Sequence, residues 1–139
     1  MPEIVIVDTS VLIALENIDQ LHLLCKIYKE IVLPEAVVKE FGNLNLNCLS
    51  IKKVESKLLN ILLKALNLGR GEAEVIAFSY ETGIPALIDD QKARKVAEDL
   101  GIKISGTIGL LMKAQKLGIL KSAVEKVLEL KKKGFLHFR

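Results

Sequence analysis

Acidic side chains at particular places are the part of this 139-residue chain best suited to chemistry. Asp8 closes the unbroken apolar run Ile4-Val5-Ile6-Val7, and Asp89-Asp90 closes a second run, Ala86-Leu87-Ile88. Glu72, with Glu74 close behind, opens a helical pattern just after Gly69-Arg70-Gly71. In a parallel α/β sheet, strand carboxyl ends and the N-termini of the following helices share one edge, and ligands bind there. Asp8, Glu72 and Asp89-Asp90 can therefore converge. Convergent carboxylates repel one another and need protons or a cation. Hard oxygen donors select Mg²⁺ or Mn²⁺ over zinc or copper. Such a centre activates a water and stabilises the oxygens of an in-line displacement at phosphorus, so metal-assisted phosphodiester hydrolysis is the chemistry these residues suit. No Ser-His-Asp set or reactive-cysteine context competes with it. Each acid also has a plain structural use. Glu72 and Glu74 complement a helix dipole in a first turn, and Glu40, on a last turn where the dipole disfavours it, reads alone as a surface residue. Spacing by itself leaves the metal site and a set of caps and surface acids both open.

The elements that must position these groups alternate between strand and helix. Four β-branched residues without a polar break read as a strand covered on both faces. Asp8-Thr9-Ser10 then caps a helix from Val11 to Asn17. Asp19 caps a second helix bearing Leu21, Leu24, Cys25 and Tyr28. Glu30-Ile31-Val32-Leu33 is a strand stopped by Pro34, which opens a helix that ends at Gly42. Asn43, Asn45 and Asn47 mark a loop, with a strand within Cys48 to Val54. Ser56 to Leu68 has helical spacing, with Leu58, Leu59, Leu62, Leu63 and Leu66 on its apolar face. A helix then runs to Gly83, a strand follows at Ala86–Ile88, and a helix spans Gln91 to Leu100. Ile102-Lys103-Ile104 alternates as an edge strand, and helices at Ile108–Leu117 and Lys121–Lys133 complete the chain. This alternation predicts βαβ crossovers and a mostly parallel sheet covered by helices on both faces, in one domain over residues 1–139.

Composition narrows the classes. Half of the residues are hydrophobic, which excludes a disordered chain, and no apolar run is long enough to span a bilayer. The start, Met-Pro-Glu before a strand, lacks the basic segment of a signal peptide. Cys25 and Cys48 form no CxxC pair, so a reduced cytoplasmic protein with two thiols in its core is expected. His22 and His137 offer no zinc cluster. The net charge of +3 is uneven: residues 1–106 carry 12 basic and 15 acidic side chains, whereas residues 107–139 carry 8 and 2. A basic end beside an acidic body suits a polyanion near a metal, and equally suits a solvated helix surface. With no Trp and 4% aromatic residues, a base-stacking platform is not expected.

Taken together, the motifs resemble PIN-domain proteins. Ile6-Val7-Asp8-Thr9-Ser10-Val11-Leu12-Ile13 is similar to the opening of that family, whose first metal ligand is this Asp. Pro34 through Glu40, as P-x-x-V-x-x-E, resembles its second acidic motif. Glu72 stands where many members have Asp, and Leu87-Ile88-Asp89-Asp90 resembles the strand end that gives the last acid. Asp89 to Ala97 and Gly106-Thr107-Ile108-Gly109-Leu110-Leu111 resemble a PIN-like branch related to VapC toxins. The resemblance covers nearly the whole chain. It implies a three-layer α/β/α fold with a central mostly parallel sheet and a Mg²⁺- or Mn²⁺-dependent endoribonuclease. It further implies a toxin role restrained by an antitoxin protein and a homodimer, while the lack of a bilayer-length apolar run leaves no membrane partner expected.

On that basis Asp8 is the expected central ligand, with Glu40, Glu72 and Asp90 completing the set and Asp89 an alternative beside Asp90. Two departures bear on this. Glu at position 72 reaches one methylene farther than Asp, and the doubled acid leaves the last ligand ambiguous. Ser10, Glu74 and Arg94 are expected in support: Ser10 on a metal-bound water or capping its helix, Arg94 on a phosphate or paired with an acid. Thr9 and Thr107 read as structural. Lys113, Lys116, Lys121, Lys126 and Lys131 to Lys133 are candidates for RNA backbone contacts. The alternative from another class is a non-catalytic PIN-like module that binds RNA or protein. A phosphatase or DNA nuclease using the same centre is a third reading.

Overall fold

A computed structural model describes residues 4–135. Its centre is a five-stranded sheet of β1 (Ile4–Val7), β2 (Glu30–Pro34), β3 (Leu49–Lys52), β4 (Ala86–Leu87) and β5 (Ile104–Ser105), in the order β3-β2-β1-β4-β5 with every pairing parallel. The helices are α1 (Thr9–Asn17), α2 (Leu23–Ile27), α3 (Glu35–Phe41), α4 (Leu58–Asn60, continuing as a π-helical turn over Ile61–Ala65), α5 (Arg70–Thr82), α6 (Gln91–Asp99), α7 (Thr107–Lys116) and α8 (Ala123–Lys132). They flank the sheet in a three-layer α/β/α arrangement. Among the described residues no helix is long and apolar enough to cross a membrane.

β1 is central because its sequence can be covered from both sides: Val5, Ile6 and Val7 are fully buried. α5 lies across β1, β2 and β4, burying Val75, Ile76 and Ala77. The chain proceeds outward from β1 through β2 to β3, then returns to the other side of β1 as β4. The connections thus reverse direction between β1 and β4. That reversal opens a crevice at the carboxyl edge, the usual ligand position in open parallel sheets. Asp8 follows β1 and Asp89-Asp90 follow β4, so both acidic strand ends flank this crevice.

Several local expectations are corrected. Asp19 does not cap α2; it adopts a left-handed φ of 55° in the turn after α1, and α2 begins at Leu23. The helix expected from Ser56 to Leu68 is a short irregular one. Leu62, in its π-helical turn, is completely buried, Leu59 before the turn and Leu68 after it are nearly so, and Leu66 faces solvent. β5 lies later than Ile102-Lys103-Ile104 by two residues at its start. Of the residues expected to pack back at the end, Leu136 and Phe138 lie outside the described residues, and Phe135 packs against the core.

The cysteines are corrected more substantially. Cys25 and Cys48 are not free thiols but a disulfide, with Cα atoms 5.6 Å apart. Parallel pairing of β2 with β3 causes this meeting. It returns the chain to the amino edge of the sheet just before Leu49, beside α2, which packs on β2.

Candidate active site

Asp8 occupies the N-cap position of α1 but makes no capping bond with its side chain. The carboxylate is 2% exposed. Its Oδ2 accepts the Ser10 hydroxyl at 3.3 Å, and its Oδ1 is buried without a hydrogen-bond partner. Burial, and then the charges of Glu72 and Glu40, push this acid from 3.8 to about 7 against the opposing pull of the Thr9 backbone N–H and the Ser10 hydroxyl. A buried acceptor without a partner is costly and calls for a proton or a cation.

Glu72 reaches the same edge from the first turn of α5. Its Oε1 accepts the Gly69 N–H at 3.3 Å, the half of a capping box open to a glycine cap. Burial first, then the charge and close contact of Asp90 and the charge of Glu40, raise the Glu72 carboxyl, while the Gly69 N–H opposes them. Asp90 is the N-cap of α6, where Oδ2 accepts the Ala93 N–H at 2.9 Å and Oδ1 remains. Glu40 arrives differently. α3 packs against α1 and α5 as well as against β2 and β3, and its last turn reaches the start of α1. There the Thr9 hydroxyl donates to Glu40 Oε1 at 2.9 Å. Asp8 thus feels the charges of Glu72 and Glu40, and Glu72 those of Asp90 and Glu40.

The neighbouring candidates are occupied elsewhere. Asp89 spends Oδ1 on the Thr107 N–H at 2.8 Å and Oδ2 on the Thr107 hydroxyl at 2.5 Å, fastening the end of β4 to the start of α7. Arg94 donates from Nη1 to the Ile88 carbonyl at 2.7 Å, bracing the same strand end. Glu74 is buried, accepting the Ala36 N–H at 3.1 Å with Oε1 and Arg70 Nε at 2.8 Å with Oε2. Three of the tail lysines have internal contacts: Lys113 lies over the Tyr28 ring, Lys126 pairs with Glu129, and Lys133 donates to the Asn17 carbonyl. Lys116, Lys121, Lys131 and Lys132 are exposed.

Sequence reasoning passed over Gly71 and gave Thr9 only a structural part. Thr9 orients Glu40, and Gly71 lies directly under it. The only sequence signal for Gly71 is a glycine inside a helical first turn, where helix propensity disfavours it. A cleft of about 750 Å³ opens beside the acids, lined among others by Ser10, Ile13, Asp90, Arg94, Ile108 and Phe135.

The donor set fits a hard divalent cation: four carboxylates, one with an orphaned buried oxygen, and no sulfur or imidazole among them. Among the described residues, no three His, Cys, Asp or Glu side chains are drawn closely enough together to hold a metal ion. Thr9 holds Glu40 by Oε1 and the Gly69 N–H holds Glu72 by Oε1.

These features define a parallel three-layer α/β protein with a carboxylate cluster at its topological switch point. A family model described as a PIN domain matches residues 4–137, and the chain belongs to the PIN-domain family. PIN domains are generally nucleases. No curated protein matches the chain.

Proposed function

We propose that this PIN domain, formed by residues 1–139 as one unit, is a Mg²⁺- or Mn²⁺-dependent endoribonuclease that hydrolyses RNA phosphodiester bonds. The observation that carries this reading is Asp8 Oδ1, a buried acceptor without a partner beside the charges of Glu72 and Glu40. Asp8, Glu40, Glu72 and Asp90 would hold the cation. When bound, it would supply an activated water and charge stabilisation for the phosphate oxygens. The remaining roles belong to the chain itself. Ser10 holds Asp8 Oδ2, leaving Oδ1 as the free donor, and Thr9 holds one oxygen of Glu40. Asp90 is favoured over Asp89 as ligand because Thr107 occupies both Asp89 oxygens.

The cleft beside the acids accommodates RNA flanking the scissile phosphate. Lys131 and Lys132, exposed at the end of α8 shortly before the cleft residue Phe135, would attract its backbone, whereas Lys116 closes α7 at the end away from Thr107 and Asp89. We place the chain in the VapC-related branch, as a cytoplasmic homodimeric toxin restrained by an antitoxin protein. A disulfide is compatible with that compartment in hyperthermophiles, whose intracellular proteins retain them.

Mn²⁺ titration followed by paramagnetic NMR line broadening tests the centre without a guessed substrate. Saturable broadening around Asp8, Glu40, Glu72 and Asp90 is expected in the wild type and not in Asp8→Asn. Diffuse broadening of both folded proteins would overturn the metal site. With Mn²⁺, cleavage of RNA but not of DNA or small phosphate esters is expected. Asp8→Asn should lower that rate by about 10²–10³-fold, the scale for losing one electrostatic group at a reacting centre. RNA binding without cleavage would instead identify a non-catalytic module.

A further inference from the structure

Glu40 is the member of the acidic set whose position follows least directly from the sheet, because it sits at the far end of α3. Two features of α5 fix where that end comes to rest. The buried Glu74 carboxylate accepts the Ala36 N–H in the first turn of α3, and Arg70 holds its other oxygen. This joins the start of α3 to the opening turns of α5. One turn back along α5, Gly71 is buried beneath the Glu40 carboxylate. A Cβ added at Gly71 would overlap Glu40 Oε1 and stand 2.9 Å from its Cδ.

The backbone at Gly71 gives no other reason for glycine. It is not among the positive-φ glycines, and it lies within a regular helix where alanine is the better former. What the position requires is the absence of a side chain. Thr9 then reaches the same Oε1 from α1, so Glu40 is held between a hydroxyl and a bare stretch of helix.

We infer that Gly71 is a positioning residue for the metal centre: its missing side chain forms the seat that lets the Glu40 carboxylate lie on the first turn of α5 beside Glu72. This rests on the reading of Glu40 as a metal ligand. It adds a residue that touches neither metal nor RNA and acts through Glu40 alone.

The test is a double-mutant cycle of wild type, Gly71→Ala, Glu40→Ala and the double variant. Mn²⁺ affinity is read by electron paramagnetic resonance of the free ion, and stability by urea unfolding. Gly71→Ala should weaken Mn²⁺ binding about tenfold while circular dichroism keeps its helical signal, the scale seen when a group orienting a ligand is lost. In the Glu40→Ala background the same substitution should change affinity by less than about twofold, because the carboxylate it displaces is gone. The double variant should also unfold at higher urea than Glu40→Ala, since the new methyl has room and alanine favours the helix. An equal loss of affinity in both backgrounds, or no loss in the first, would overturn the seat. If the wild type binds no Mn²⁺, the metal reading fails by itself and the unfolding cycle still decides the seat. Gly71→Ala that destabilises both backgrounds equally would overturn it.

Discussion

At the scale of single residues, Asp8 sets the pH behaviour of the metal-free protein. Its acid moves from 3.8 to about 7, chiefly through burial. Between those values the unfolded chain releases a proton that the folded chain keeps. Folding stability is therefore greatest below the lower value and falls as pH rises through the upper one, by up to about 4 kcal/mol from this group. Glu72, also raised by burial and by Asp90, tilts the curve the same way. Urea unfolding in EDTA at a series of pH values from 4 to 8 should show this decline, and Asp8→Asn should flatten it markedly. Mn²⁺ added at pH 8 should restore wild-type stability, because a ligand of the folded state alone stabilises it by mass action. A different acid separates structure from site. Thr107→Val removes a hydroxyl bonded to Asp89, so it should cost about 1–3 kcal/mol in unfolding free energy. Mn²⁺ affinity should stay within about twofold of wild type, since Asp89 is braced away from the cluster.

At the scale of elements, what could be read in the sequence depended on where the cause lay. β1 was legible because a continuous β-branched run has few other uses, and α5 because glycines bracket it at Gly69 and Gly83. Asp8, Glu72 and the pair Asp89-Asp90 followed from the geometry of strand ends and helix starts, whereas the preference for Asp90 within that pair came from the resemblance. Glu40 required the resemblance, since the packing of α3 on α1 and α5 is tertiary and leaves no local signal. The irregular α4 was misread for a related reason: leucine at every third or fourth position satisfies a regular helix, while the body of the protein selects a turn that buries Leu62 and exposes Leu66. This gives a contrast to measure. Leu62→Ala should destabilise the protein by about 2–5 kcal/mol, whereas Leu66→Ala, at 40% exposed, should lie within about 1 kcal/mol of wild type. Comparable losses at both positions in urea unfolding would contradict the π-helical turn.

At the scale of the whole molecule, the strand order matters more than any one helix, because it brings the first strand and the fourth side by side and so unites acids 82 positions apart, Asp8 and Asp90. That adjacency followed from the alternation of strands and helices only as a general edge rule; the reversal between β1 and β4 is set by the packing of all five strands. The disulfide is a second long-range tie. Separated by 23 positions, Cys25 and Cys48 restrict the unfolded chain, and reduction should lower stability by about 3 kcal/mol, read as a fall in the urea midpoint with a phosphine reductant. The tie also changes what a cut in the backbone means. Residues 25 to 48 form a covalent ring that includes β2, α3 and Glu40, and the exposed positions of the stretch after Gly42 make it a natural point for a protease to enter. A single cleavage there opens the ring without releasing either piece. The nicked protein should run as one band on a non-reducing denaturing gel and as two once the sulfurs are reduced, so the peptide that carries Glu40 can be severed from its neighbour in sequence and still belong to the same molecule.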